Sequence, residues 1–210
     1  MTFIYATDLH GNKKKYNEIL NYAISNNIKT IHLGADLLPK NDDLIHEQKT
    51  FINSFLKKFY NRAKQNNIKL LAFFGNDDIY LGKKDFRKFG FLLDEQTIKI
   101  DDYLFRAYPF VCDYPFNLKT ACKLDYKGWQ KPLQYYSTAI DISNKGFQYI
   151  NDLDEYFSKK TTIEEDLKEI KGPYENLIMS FHMPPNKLVR CLWQCSLYGK
   201  FKICRIFIYL

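Results

Sequence analysis

The sequence predicts an α/β fold built on a mostly parallel sheet, and three observations support this. Strand-like and helix-like segments alternate through the N-terminal half of the chain. The links between these segments are short. One predicted strand, 68–74, is an unbroken apolar run, which is typical of a parallel strand that is covered on both faces. We therefore expect a strand–helix–strand–helix–strand unit wrapped by helices.

The first strand is predicted at 2–7, where β-branched and aromatic residues predominate, and it ends in the turn DLHGN at 8–12. The next segment, 13–26, has apolar residues at helical spacing and is predicted as a helix. A short second strand follows at 30–33 and ends in GAD at 34–36. Each of these two strands therefore ends in a turn that carries an aspartate.

The next unit begins with a long amphipathic helix, predicted over 44–66, whose phenylalanine stripe we interpret as core. The buried strand 68–74 follows and ends in GNDD at 75–78. Two further strands are predicted at 98–100 and 103–107. This completes the regular part of the pattern.

The C-terminal part is less regular. The stretch 108–136 is rich in proline and aromatic residues and is predicted as a long excursion from the sheet. A helix is predicted to begin near Thr161 and Thr162, because each forms a capping box with the glutamate three residues later. The last clear strand, 177–181, ends in HMPP at 182–185.

The composition is that of a globular protein and excludes several classes of chain. Of 210 residues, 46% are hydrophobic and 26% are charged, which excludes disordered, collagen-like and disulfide-scaffold proteins. No apolar run approaches the ~18 residues of a membrane span. The N-terminus lacks the basic and apolar regions of a signal peptide. We therefore expect a cytoplasmic protein with no membrane partner.

The net charge of +7 suggests an anionic partner, but its distribution weakens this interpretation. Residues 187–210 contain five basic residues and no acidic ones, so the first 186 residues carry only +2. Lysine outnumbers arginine by 26 to 5. Arginine is the side chain better suited to form paired hydrogen bonds with bases and phosphates, so this ratio does not favour nucleic-acid binding. A Lys-rich module that binds nucleic acid is therefore kept only as the third hypothesis.

Side chains that often bind metals stand at the ends of four predicted strands. In open α/β sheets ligands bind beyond the carboxyl ends of the strands, so these side chains are expected to converge. Each alone is more often a turn or core residue, but their order and their placement together indicate a metal site. The five candidate ligands are Asp8, His10, Asp36, Asn76 and His182.

The same motifs resemble those of the calcineurin-like metallophosphoesterase family. The pattern of that family runs Asp-x-His, Gly-Asp, Gly-Asn-His-Asp/Glu, His and then Gly-His-x-His. This chain has DLHGN, GAD, GNDD and FHMPP in the same order, over residues 2–186. The resemblance implies one metallophosphoesterase domain over 1–186 with a four-layer αββα sandwich, and a phosphoester as the substrate.

The resemblance also implies a centre with two divalent metal ions. Asp8 and His10 would bind the first ion, Asn76 and His182 the second, and Asp36 would bridge them. Oxygen ligands with imidazole suit Mn, Fe or Zn, and Mn is our first choice. Such a pair of ions lowers the pKa of a bridging water, and the hydroxide attacks phosphorus without a side-chain nucleophile.

Two features depart from the family pattern. Asp77 stands where the most familiar version has a His that steadies the transition state and protonates the leaving group. We predict catalytic roles for Asp36, Asn76 and Asp77, and two nearby cations would lower the pKa of Asp77, so it is a poor acid. The resemblance then points to a phosphodiesterase that prefers good leaving groups.

The second departure is that no His follows His182, so Gly-His-x-His is missing and each ion keeps three protein ligands. We therefore expect a sandwich that is incomplete at its C-terminal end.

Residues 187–210 hold three of the five Cys and no Asn, Asp or Glu. We regard 187–210 as an atypical tail, with a shifted reading frame near residue 186 as one hypothesis. An inactive remnant or interaction protein of the same fold is the alternative to an enzyme.

Two residues near the motifs receive structural roles. His32, inside the second strand, is predicted to be a core residue rather than a ligand. Asp78 is predicted to hold Asn76 in position without itself binding the metal.

Overall fold

The computed structural model describes residues 1–130, 132–134, 136–170 and 175–183. The tail predicted at 187–210 lies outside the described residues. Within the described part of the chain, no helix is both long and apolar enough to cross a membrane.

The N-terminal part forms a three-stranded parallel sheet, which confirms the alternation predicted from the sequence. Strand β1 (Ile4–Ala6) pairs with β2 (Thr30–Leu33), and β2 pairs with β3 (Lys69–Ala72). All three strands run in the same direction, so their carboxyl ends meet at one edge of the sheet. The predicted site residues follow these ends.

Helices cover one face of this sheet. Helix α1 (Lys13–Ser25) begins at Asn12, whose side chain caps it. The predicted long helix is continuous, but a π-helical turn (Ile52–Leu56) divides it into α2 (Leu44–Phe51) and α3 (Lys57–Gln65). The chain stays helical through this turn, which is why the sequence pattern could be interpreted as one helix.

The phenylalanine stripe of the long helix lies in the core, as predicted, and packs around Tyr16 of α1. The ring centroids of Phe51, Phe55 and Phe59 lie 5.9, 5.5 and 5.2 Å from that of Tyr16. Tyr16 is fully buried, and its hydroxyl donates a hydrogen bond to the Leu37 carbonyl at 2.9 Å. The helical layer is thereby fixed to the loop that follows β2.

Several of the remaining elements were not predicted: α4, α5, the β6–β7 pair inside the predicted excursion, and the β8–β9 hairpin. In chain order the remaining elements are α4 (Lys83–Phe86), β4 (Ile98–Ile100), β5 (Tyr103–Tyr108), β6 (Val111–Cys112), β7 (Cys122–Lys123), β8 (Ala139–Ser143), β9 (Gly146–Ile150), α5 (Leu153–Ser158), α6 (Ile163–Lys168) and β10 (Leu177–Phe181). Of the two capping boxes predicted for α6, the one between Thr162 and Glu165 is present.

A second sheet packs on the face of the first that the helices leave open. Its order is β10-β5-β4, with β10 parallel and β4 antiparallel to β5. Phe105 and Ala107 of β5 share one core cluster with Leu71 and Phe73 from the β3 region. The described residues therefore form a mixed α/β fold in which helices, a parallel sheet and a mixed sheet lie in succession.

His32 lies between the two sheets, which confirms that it is a core residue. Its ring meets Tyr5, Phe73 and Phe105 nearly edge-on, with centroids 5.0, 6.0 and 6.1 Å away. Neither of its ring nitrogens has a hydrogen-bond partner among the described residues. Burial lowers the pKa of His32 to about 3, so the ring is neutral in the folded protein.

We expect His32 to make stability fall in mild acid. In the unfolded chain His32 takes up a proton near pH 6.5, whereas in the folded protein it does so only near pH 3. The unfolded state therefore binds more protons between these values, and stability is lost as the pH falls below 6.5. Between pH 8 and pH 5 the loss should be about 2 kcal/mol.

The His32→Phe variant keeps a ring between the sheets but cannot titrate. Urea unfolding at pH 8 and pH 5 should therefore show a smaller loss of stability in this variant than in the wild type. His46→Gln, at an exposed position, should keep the wild-type dependence. Equal losses in wild type and His32→Phe would show that His32 is not the group responsible.

Candidate metal centre

The loops after β1 and β2 run side by side and carry three of the predicted ligands. The Asp8 N–H donates to the Ala35 carbonyl at 3.1 Å, and the His10 N–H donates to the Asp36 carbonyl at 2.9 Å. The pairing of the two strands thus continues beyond their ends. As a result, the side chains of Asp8, His10 and Asp36 meet at the carboxyl edge of the sheet.

All three of these residues have left-handed backbone conformations. The φ angles of Asp8, His10 and Asp36 are 55°, 41° and 53°. Residues other than glycine rarely adopt this region, because the side chain then crowds the backbone. Such conformations persist where the surrounding hydrogen bonds enforce them, and they cluster at functional sites.

The three side chains form a cluster of the size that one ion requires. One ligand atom from each of Asp8, His10 and Asp36 lies within 4.8 Å of the other two. Asp8 and His10 are exposed, whereas Asp36 is only 6% exposed. The cluster is therefore open toward solvent and has Asp36 at its base.

The other two predicted ligands also lie close to Asp36. Asn76 follows the β3 region, and His182 follows β10 directly. The His182 Nε2 is 2.5 Å from the Asn76 Oδ1 and 3.6 Å from the Asp36 Oδ2. The structure thus brings all five predicted ligands together, with Asp36 common to both groups.

Asp36 is a buried carboxylate next to other charged groups. Burial raises the pKa of its carboxyl, while His182 and the Asp77 N–H, which donates to Asp36 Oδ1 at 3.0 Å, act in the opposite direction. Burial destabilises the charged form of this carboxylate, and a bound cation would stabilise that form. The donor set of carboxylates, imidazoles and an amide oxygen therefore fits divalent metal ions such as Mn.

Gly75 allows the loop after β3 to approach Asp36. A Cβ at this position would lie 2.1 Å from the Asp36 Oδ1 and 2.5 Å from the Asp36 backbone nitrogen. No side chain can occupy that space without displacing Asp36. The glycine of GNDD is thus required by the close approach of the two loops.

Asp78 acts on the backbone of the loops that carry the predicted ligands. Its carboxylate is fully buried and accepts hydrogen bonds from the N–H groups of Leu37, Leu38 and Gly75, at 3.0, 2.8 and 2.8 Å. Burial, and after it the charge of Asp36, raise the pKa of Asp78 to about 7, whereas the three N–H groups lower it. Asp78 therefore joins the loops after β2 and β3 through their backbones.

Gln48 is a site residue that the sequence pattern did not indicate. It lies on α2 and is fully buried. Its amide donates to the carbonyls of Pro39 and Asp77 at 2.9 and 2.8 Å, and it accepts from the Ile79 N–H at 2.8 Å. A polar residue on the apolar stripe of a helix was the signal that could have revealed it.

The Asp77 side chain turns toward a lysine. The Lys40 Nζ lies 2.8 Å from the Asp77 Oδ2, and the Asn76 Nδ2 donates to the Asp77 Oδ1 at 3.0 Å. Sequence reasoning did not identify Lys40, which stands in the loop between β2 and α2. The structure therefore places a cation beside the predicted metal ligands.

Comparison with solved structures finds chains that resemble this one at low sequence identity. One solved structure is 13% identical, with a TM-score of 0.47, and the match covers 87% of this chain and 69% of that chain. The crystal structure of TT1561 of Thermus thermophilus is 12% identical, with a TM-score of 0.48, and the match covers 92% of this chain and 77% of that chain. No family model and no curated protein matches the chain.

Proposed function

We propose that the chain is a metal-dependent phosphoesterase of the calcineurin-like type, acting on phosphodiesters. The observation that carries the proposal is the convergence of the five predicted ligands on the buried carboxylate of Asp36. The order of the motifs along the chain supports the family. The two facing sheets, with helices on the first, support the four-layer αββα sandwich that we propose for 1–186.

Two divalent ions, with Mn as first choice, would supply an activated water and would neutralise charge on the phosphoryl oxygens. Asp8 and His10 would hold one ion, and Asn76 and His182 the other. Asp36 would contact both, because its carboxylate is close to both groups. The Asp77 N–H holds one oxygen of Asp36, so the orientation of this shared carboxylate is fixed by the backbone.

Asp77 and Lys40 set the expected preference for the leaving group. Both oxygens of Asp77 already accept hydrogen bonds, one from Lys40 and one from the Asn76 amide, so neither is directed at a leaving group. The ammonium of Lys40, 2.8 Å from the Asp77 carboxylate, would add positive charge near a phosphoryl group held at the metal centre. We therefore expect esters with good leaving groups to be hydrolysed fastest.

The test is Mn binding by calorimetry, together with hydrolysis of bis-p-nitrophenyl phosphate. We expect Mn to bind, to raise the unfolding temperature and to be required for hydrolysis. His10→Asn should weaken Mn binding by roughly tenfold or more, because it removes an imidazole ligand. Asparagine tolerates the left-handed backbone at this position, so the fold should persist.

His46→Asn is the matched control, because His46 is exposed and lies on α2. It should bind Mn as the wild type does. A folded wild-type chain that neither binds Mn nor hydrolyses the diester would contradict the proposal. That result would favour the inactive remnant or interaction protein of the same fold.

A further inference from the structure

The excursion after β5 returns to the metal centre and carries aromatic residues there. The Tyr114 hydroxyl donates to the Leu118 carbonyl at 2.6 Å, which holds the turn closed. Burial raises the pKa of Tyr114, and Asn76 and Asp77 are among the groups that act on its hydroxyl. Tyr114 therefore lies beside the loop that follows β3.

Phe116 extends this aromatic surface toward solvent. Its ring centroid is 5.6 Å from that of Tyr114, and the residue is 49% exposed. The Lys40 Nζ lies 5.8 Å from the centroid of the Phe116 ring and 2.8 Å from the Asp77 carboxylate. One ammonium group thus stands between an exposed aromatic ring and the predicted metal centre.

We propose that Lys40 and Phe116 form a subsite for a phosphoester that carries a flat aromatic group, either a nucleoside or an aryl group. This inference rests on the proposed function, because the metal centre would hold the phosphoryl group. Lys40 would contact a phosphoryl oxygen, and the aromatic group would stack on Phe116.

The chemistry of both residues suits this ligand. The Lys40 side chain is 58% exposed, so its ammonium can reach a phosphoryl oxygen while it stays near Asp77. An exposed aromatic ring stacks on any base, because every base has a π-face. The cation beside the ring adds to the attraction for a flat, electron-rich group.

Calorimetry on the Mn-loaded protein tests the inference with three ligands. Adenosine 5′-monophosphate carries a base, ribose 5-phosphate has the same phosphate without it, and phenyl phosphate carries an aryl group. We expect at least one aromatic ligand to bind about fivefold or more tightly than ribose 5-phosphate. Whichever aromatic ligand binds more tightly shows whether the subsite takes a base or an aryl group.

Variants then locate the preference. Phe116→Ala should abolish the advantage of the aromatic ligand, and Phe116→Tyr should retain it. Phe91→Ala, at a ring that is 58% exposed, should leave the affinities unchanged. Lys40→Gln should weaken all three ligands to a similar degree, whereas Lys14→Gln on α1 should weaken none.

The outcomes distinguish this inference from the proposed function. Mn-dependent hydrolysis together with equal affinities for the three ligands would overturn the subsite alone. A preference that survives in Phe116→Ala would do the same. Failure of the chain to bind Mn would overturn the proposed function and this inference with it.

Discussion

Asp36→Asn should reduce Mn-dependent hydrolysis of bis-p-nitrophenyl phosphate by roughly a hundredfold or more. Loss of a group that only supports a metal ligand already costs about 10- to 100-fold. Asp36 is expected to contact both ions, so its loss should cost at least the upper end of that range. The measurement is the initial rate at saturating Mn, with Mn affinity determined separately by calorimetry.

The substitution is suited to this purpose because it changes charge with little change of shape. The amide oxygen can still accept the hydrogen bond from the Asp77 N–H. Asparagine also tolerates the left-handed backbone found at position 36. Asp42→Asn, at an exposed position, should keep full activity. If Asp36→Asn keeps most of the activity, hydrolysis does not depend on this centre.

The placement of the ligands could be predicted from the sequence because it follows from the parallel sheet. Strands that run in the same direction end at the same edge, so Asp8, Asp36 and Asn76 had to lie near one another. The apolar pattern fixed where each strand ends to within a few residues. Ligand types at those positions then indicated a metal site.

Residues that reach the site from other segments could not be predicted in the same way. Lys40 and Phe116 depend on the paths of two irregular loops, which no periodic pattern describes. Gln48 and Asp78 act on backbone groups, so their roles depend on which amides the fold leaves unpaired. Such roles are visible only when the loops are packed together.

The β8–β9 hairpin was missed for a related reason. Its strands alternate apolar and polar residues, but the aromatic residues of β9, Phe147 and Tyr149, are exposed, so the alternation does not mark a buried face. Its turn depends on Gly146, whose φ of 101° few other residues adopt. The hairpin therefore depends on the antiparallel pairing of the two strands and on its turn, not on burial of one face in the core.

Asp78→Ala should lower the free energy of unfolding of the metal-free chain by at least about 3 kcal/mol. The substitution removes the acceptor of three backbone N–H groups, those of Leu37, Leu38 and Gly75, and leaves them buried without a partner. Urea unfolding at pH 7 measures the loss. Asp42→Ala, at an exposed position, should change stability by no more than about 0.5 kcal/mol.

Asp78→Asn separates the role of the hydrogen bonds from that of the buried charge. The amide keeps one oxygen acceptor, and it removes a charge whose burial is unfavourable at pH 7, so its cost should be smaller than that of Asp78→Ala. It should still weaken Mn binding by about 10- to 100-fold, although Asp78 is not a predicted ligand. Unchanged Mn affinity in a folded Asp78→Asn variant would show that the two loops hold their ligands without this connection.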